Sequence, residues 1–147
     1  MPLATKYHAK IVTYPPKFVT IQFQMPTGEP KKILAVVEDL FFTVKINESA
    51  KRAGLAVEFV KSEKDAVERA RNQPAAIIID LNCGAVDPIK LIRELKASPD
   101  LKAINLIGYL SHVQGELKMQ AQEAGCNMVL PRSAFSQNLP LILKRHA

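Results

Sequence analysis

From residue 31 onward, apolar and polar positions follow two alternating rhythms. Five short runs read as strands: "KKILAVVED" (31–39), "LAVEFV" (55–60), "AAIIID" (75–80), "AINLIGY" (103–109) and "CNMVL" (126–130). The third is apolar without interruption, which suits a strand buried on both faces of a parallel sheet. Between the strands the period lengthens to that of a helix. In "LFFTVKINESAKRAG" (40–54), Phe42, Ile46, Ala50 and Ala53 share one face, and Gly54 ends the run. "SEKDAVERARNQP" (62–74) opens with Ser62 and Asp65 in capping-box spacing and stops before Pro74. Asp87-Pro88 is an N-cap followed by proline at the first helical position, heading "PIKLIRELKAS" (88–98). "VQGELKMQAQEAG" (113–125) carries Leu117, Ala121 and Ala124 on one face, and "NLPLILKRH" (138–146) reads as a short last helix with Pro140 in its first turn.

Strand and helix therefore alternate five times. This order predicts an α/β domain, a (βα)5 doubly wound five-stranded parallel sheet with the flavodoxin-like order 2-1-3-4-5. Residues 1–30 break the rhythm with a Pro-Pro and a short alternating piece, Phe18, Ile21 and Phe23 among Thr and Gln. They are read as an N-terminal extension to a domain at 31–147. The piece offers an edge strand, an undocked tail, or a segment upstream of a true start at Met25.

Composition narrows the class. The chain is 48% hydrophobic and 23% charged over 147 residues, as ordinary globular domains are. Two cysteines, Cys83 and Cys126, form neither a disulfide framework nor a CxxC metal pattern, so a reducing, cytoplasmic setting is expected. No apolar run approaches the ~20 residues needed to span a bilayer, and no membrane partner is expected. The net charge of +6 is inflated by Lys6, Lys10 and Lys17, which lie in an acid-free start. The rest is nearly balanced, with its basic residues spread over several helices, and this argues against nucleic acid as a partner.

In a doubly wound sheet, ligands bind at the carboxyl ends of the strands, near the switch point between strands one and three. Strand one ends in Glu38-Asp39 and strand three in Asp80. Three carboxylates at one rim repel each other unless a cation intervenes, and hard oxygen donors at an open rim suit Mg²⁺. A crevice of this kind fits an aspartyl-phosphate site.

On "VVED" closing strand one, "IIIDLN" closing strand three, "AGCNMVLPR" running through strand five, and the (βα)5 order, residues 31–147 resemble the CheY-like receiver domains of two-component response regulators. The resemblance implies that Asp80 is the phospho-acceptor. It implies that Glu38, Asp39, Asp80 and the main-chain carbonyl of Asn82 hold Mg²⁺. It also implies a histidine kinase or phosphotransfer protein as donor, a downstream protein as target, and no enzyme activity beyond self-phosphorylation and dephosphorylation.

Two stretches depart from the family pattern. The Ser or Thr that closes strand four falls on Tyr109 or Leu110, with Ser111 the nearest aliphatic hydroxyl. The Lys after strand five is replaced by Arg132, and the following Pro by Ser133. Arg132 is expected to contact phosphate in the Lys slot, since guanidinium grips oxyanions in a planar fork. With no output domain after Ala147, the expected effect is through protein contact, on a surface around Tyr109, Leu117 and Phe135. The competing function is a degenerate receiver that acts through binding partners without phosphorylation. A small flavodoxin-like enzyme is the third reading, and the absence of GxGxxG and GxSxG speaks against it. His112 has no partner in the sequence that would make it catalytic.

Overall fold

The computed structural model describes residues 8–13, 19–24, 30–111 and 114–147. Met25, as a possible start, and His112, at the head of the fourth helix, lie outside the described residues. The chain divides into two compact units, Met1–Pro30 and Lys31–Ala147.

In the first unit, β1 (His8–Thr13) pairs antiparallel with β2 (Val19–Gln24), His8 opposite Gln24 and Thr13 opposite Val19. Residues 19–24 of the alternating piece are therefore a strand, with its partner in the same unit. Its neighbour is "HAKIVT", a β-branched stretch in its own right, and the two form a separate two-stranded sheet. Pairing across a connection this short costs little loop-closure entropy.

The second unit holds five strands, β3 (Lys32–Val36), β4 (Ala56–Val60), β5 (Ala76–Asp80), β6 (Asn105–Leu110) and β7 (Met128–Pro131), all parallel, in the spatial order β4-β3-β5-β6-β7. Numbered within the sheet, this is 2-1-3-4-5. Five helices complete it: α1 (Leu40–Arg52), α2 (Glu63–Ala70), α3 (Pro88–Ala97), α4 (Gly115–Ala124) and α5 (Arg132–Arg145). Among the described residues no helix is long and apolar enough to cross a membrane.

Strand alternation sorts the core into two layers. Leu34, Val36, Ile77, Ile79 and Leu106 pack with Ala66, Ala70, Leu91, Ile92 and Leu95, the layer of α2 and α3. Ile33, Ala35, Ile78, Ile107 and Tyr109 pack with Phe42, Ile46, Phe135, Leu139 and Leu143, the layer of α1 and α5. Burial of the central strand on both sides is complete: Ala76, Ile77, Ile78 and Ile79 are each 0% exposed. Asp80, two residues beyond Ile78, falls on the α1/α5 side.

Helix ends follow the local chemistry. Ser62 accepts the N–H of Asp65, and Asp87 accepts that of Lys90. Gly125 closes α4 at φ +112, where a Cβ would stand 2.7 Å from Lys96 Cγ, so both backbone and space require glycine. The last helix differs from expectation. It begins at Arg132, not near Asn138, and Pro140 lies inside it. Phe135, Leu139, Ile142 and Leu143 are all buried at helical spacing, and that apolar stripe outweighs the ~3 kcal/mol that an interior proline costs.

Candidate functional site

The carboxyl ends of β3 and β5 bring the acids to one rim. Asp80 is the last residue of β5 and only 5% exposed, and its Oδ1 accepts the N–H of Asn82 at 2.9 Å. Burial pushes its carboxyl above the ordinary carboxylate range. The Asn82 N–H and the Arg132 charge oppose that push, while Asp39 and Glu38 add to it. Asp80 is thus a desolvated carboxylate in a field of two like charges and one opposite.

The other two acids are already engaged. Asp39 is the N-cap of α1, and its Oδ1 accepts the N–H of Phe41 at 2.8 Å and that of Phe42 at 3.4 Å. Its Oδ2 stands 3.5 Å from Nη2 of Arg132. Glu38 turns its Oε1 towards the loop after β5, accepting the N–H of Gly84 at 3.1 Å and facing the Cys83 sulfur at 3.6 Å. Among the described residues no three carboxylate, thiol or imidazole side chains converge closely enough to hold one ion. The donor chemistry still suits a hard divalent cation. Mg²⁺ needs only one or two carboxylates beside its waters, and the like-charge strain on Asp80 is what such a cation relieves.

Arg132 opens α5 directly after β7. It pairs with Asp39, lies 5.1 Å over the ring of Phe42, and is close enough to Asp80 to favour its ionised form. Its Nε is buried without a protein acceptor. Arg132 thus places a cation at the acidic rim. Beside it opens a cleft of about 670 Å³ between the start of α1 and the start of α5, lined by Asp39, Phe41, Phe42, Ser111, Arg132 and Ser133 among others.

Ser111 follows the end of β6. Its N–H donates to Asn82 Oδ1 at 2.8 Å, and Asn82 Nδ2 donates to Gln114 Oε1 at 3.1 Å. The Asn82 side chain thereby ties the loop after Asp80 to the loop after β6. In the sequence only its main-chain carbonyl had been singled out; the side-chain bridge depends on residues 29 and 32 positions away.

Tyr109 and Phe135 are each 0% exposed and cannot form the expected contact surface. They are core. Tyr109 stacks on Phe42 (centroids 4.9 Å apart) and on Phe135 (4.6 Å), and these two rings are 6.1 Å from each other, because the odd positions of β6 face the α1/α5 layer. Leu117 is half-buried against the opposite layer. The exposed large apolar side chains at this end are instead Leu40, Phe41 and Val44 on α1. Cys83 and Cys126 are free, buried thiols, both pushed up by burial and so poor thiolates at neutral pH.

No family model matches the chain, and no curated protein matches it in sequence. Solved structures do match in fold. A putative response regulator from Chloroflexus aurantiacus superposes with a TM-score of 0.71 at 23% identity, over 80% of this chain and 98% of that one. The chemotaxis response regulator CheY4 of Vibrio cholerae gives 0.69 at 18% identity, over 81% and 100%. The receiver domain of a sensor histidine kinase from Pseudomonas aeruginosa, with magnesium coordinated in its active-site cleft, gives 0.68 at 24% identity, over 80% and 97%. With its five parallel strands in the order 2-1-3-4-5 and its five helices, the domain at 31–147 has the fold of a CheY-like response-regulator receiver domain.

Proposed function

We propose that this chain is a receiver-type signalling protein that accepts a phosphoryl group on Asp80. The observation that carries the reading is the state of Asp80: buried at the end of the central strand, held above the ordinary carboxylate range, and faced by Glu38, Asp39 and Arg132. In the transfer, an Asp80 oxygen attacks the phosphorus of a phosphohistidine on a histidine kinase or phosphotransfer protein. The P–N bond breaks as the O–P bond forms, and the imidazole leaves with a proton from solvent. An acyl phosphate remains on Asp80.

Asp80, Asp39 and the main-chain carbonyl of Asn82 would hold Mg²⁺, with Glu38 nearby; the ion's chemistry is to neutralise charge on the phosphoryl oxygens. Arg132 supplies the second positive charge, and Ser111 a hydroxyl at the mouth of the cleft. Chemical change ends at Asp80, so the output is a shift in binding to a downstream protein and not turnover of a substrate.

The test is beryllofluoride with Mg²⁺, followed by amide NMR on the wild type and on Asp80→Asn. Saturable, Mg²⁺-dependent shifts around Asp80, Asn82 and Arg132 that vanish in the variant are expected. A wild type that stays folded and unresponsive overturns the reading.

One observation favours a second reading, a receiver that signals by binding alone. Asp39 is engaged by the first turn of α1 and by Arg132, Glu38 is engaged by the Gly84 N–H, and the strand-four position that carries a hydroxyl in the family holds Tyr109 or Leu110 here. The same titration separates the two.

A further inference from the structure

Among the described residues, two buried side-chain polar atoms have no protein hydrogen-bond partner, Tyr109 Oη and Arg132 Nε. Buried donors are nearly always paired, so a pair left open in one place calls for an explanation. Both adjoin the ring of Phe42, and the Arg132 charge acts on the Tyr109 phenol. Tyr109 stacks on Phe42 at 4.9 Å, and the Arg132 guanidinium lies 5.1 Å over that same ring. Tyr109 is also the register partner of Asp80 across the β5–β6 pair, so both side chains leave the same face of the sheet.

The surroundings of the phenol fix the end of the ring that matters. Phe42 and Phe135, whose centroids are 6.1 Å apart, both pack against it. The charges it senses are Asp80, Arg132, Asp39 and Cys83, all at the carboxyl rim. Burial, with Asp80 next in order, pushes the phenol far above its ordinary range, so it remains an O–H donor at any physiological pH. Arg132 Nε–H is likewise a permanent donor. Neither donates to the Asp80 carboxylate as it stands, whose Oδ1 takes the Asn82 N–H. Two fixed donors at the same rim as the Asp80 carboxylate thus stand without a protein acceptor.

We infer that Tyr109 Oη–H and Arg132 Nε–H form a donor pair for the oxygens of a tetrahedral phosphoryl group on Asp80. This inference rests on the reading of Asp80 as a phosphoryl acceptor and assigns the hydroxyl of that site to a core tyrosine. No bond in the protein is broken when the group arrives, because both donors are unpaired beforehand. The aromatic stack holds the phenol in place, which avoids the rotamer cost that a mobile Ser or Thr hydroxyl incurs.

The probe is beryllofluoride, a phosphoryl mimic, titrated with Mg²⁺ into wild type, Tyr109→Phe and Asp80→Asn and followed by the ¹⁹F resonances of the bound group. Tyr109→Phe removes one oxygen and keeps the stacked ring, so it should fold and melt at or above the wild-type temperature. Its affinity should nevertheless fall about tenfold, as for a hydrogen bond to a charged group. In wild type, the ¹³Cζ signal of Tyr109 should move on saturation. Wild-type affinity in Tyr109→Phe with an unmoved ¹³Cζ overturns the inference and leaves Asp80 as acceptor. No bound ¹⁹F signal in wild type overturns the acceptor reading and this inference with it.

Discussion

Arg132 Nη2 stands 3.5 Å from Oδ2 of Asp39, while Oδ1 of the same carboxylate caps α1 through the Phe41 N–H at 2.8 Å. One carboxylate thus joins the first turn of α1 to the first residue of α5 at the rim of the sheet. The pair is partly exposed, with side-chain exposures of 38% and 32%, so its share of stability is small, below about 1 kcal/mol. Its electrostatic effect on the neighbouring Asp80 is the larger consequence.

Arg132→Gln should therefore leave the melting temperature within ~3 °C of wild type. It should move the Asp80 titration further upward, since it deletes the charge that favours the ionised form and leaves burial, Asp39 and Glu38 in place. Carboxyl ¹³C NMR across an acid titration reads the shift directly. Arg132→Lys keeps a charge and should shift it less. A downward shift in Arg132→Gln would mean that the guanidinium does not face Asp80.

The raised value at Asp80 carries a sign for stability. A carboxyl that holds its proton more tightly when folded than when unfolded costs the folded state stability once both forms are ionised. The cost is absent well below the unfolded value of 3.8 and grows as pH rises through the folded value. Asp80→Asn should accordingly melt ~2–5 °C above wild type at neutral pH. The gap should close on acidification through the folded Asp80 range. Thermal melts of both proteins at several pH values check this, and a variant less stable than wild type at pH 7 would contradict it.

Much of this site was legible along the chain, for physical reasons that also mark where legibility stopped. An acid that ends an uninterrupted apolar strand, as Asp80 does, advertises a strand end at a polar rim, and Glu38-Asp39 does the same for its neighbour. The sheet order then places them together. Asn82 could not be read the same way, because its value lies in side-chain bonds to Ser111 and Gln114, set by two loop conformations. Tyr109, named in the expected contact surface, could not be assigned to core or surface from the chain, because an aromatic near a strand end reads alike on either face. Register with Asp80 and stacking on Phe42 and Phe135 decide the matter. The start of α5 was misplaced by giving Pro140 more weight than the spacing of Phe135 and Leu139, which was present in the sequence.

Asn82→Ala tests the bridge between the two loops. It deletes the acceptor of the Ser111 N–H and the donor to Gln114, both partly exposed, so the loss should be about 1 kcal/mol by urea denaturation. The Ser111 amide should exchange with deuterium at least several-fold faster, with amides of the central strand changed only by the global loss. Equal exchange at Ser111 in both proteins would show that the β6 loop holds itself without Asn82. The N–H of Asn82 to Asp80 is a backbone bond and survives the substitution.

Pro140 gives a prediction in the opposite direction. It is exposed on α5, within a helix that runs from Arg132 to Arg145, and lacks the N–H that would reach the carbonyl of Ser136. Pro140→Ala restores that bond and removes the ring's clash with the preceding turn. Against this stands the extra freedom the unfolded chain gains when proline is lost, roughly 0.5–1 kcal/mol. An interior proline costs about 3 kcal/mol in a regular helix, so the net change should be a stabilisation of about 2–2.5 kcal/mol, seen as a higher melting temperature by circular dichroism. Pro140 also borders a small cleft with Ser49, Arg52 and Lys144 between the ends of α1 and α5. If the variant melts below wild type, the proline ring contributes to seating α5 on α1, and its removal costs more packing than one hydrogen bond returns.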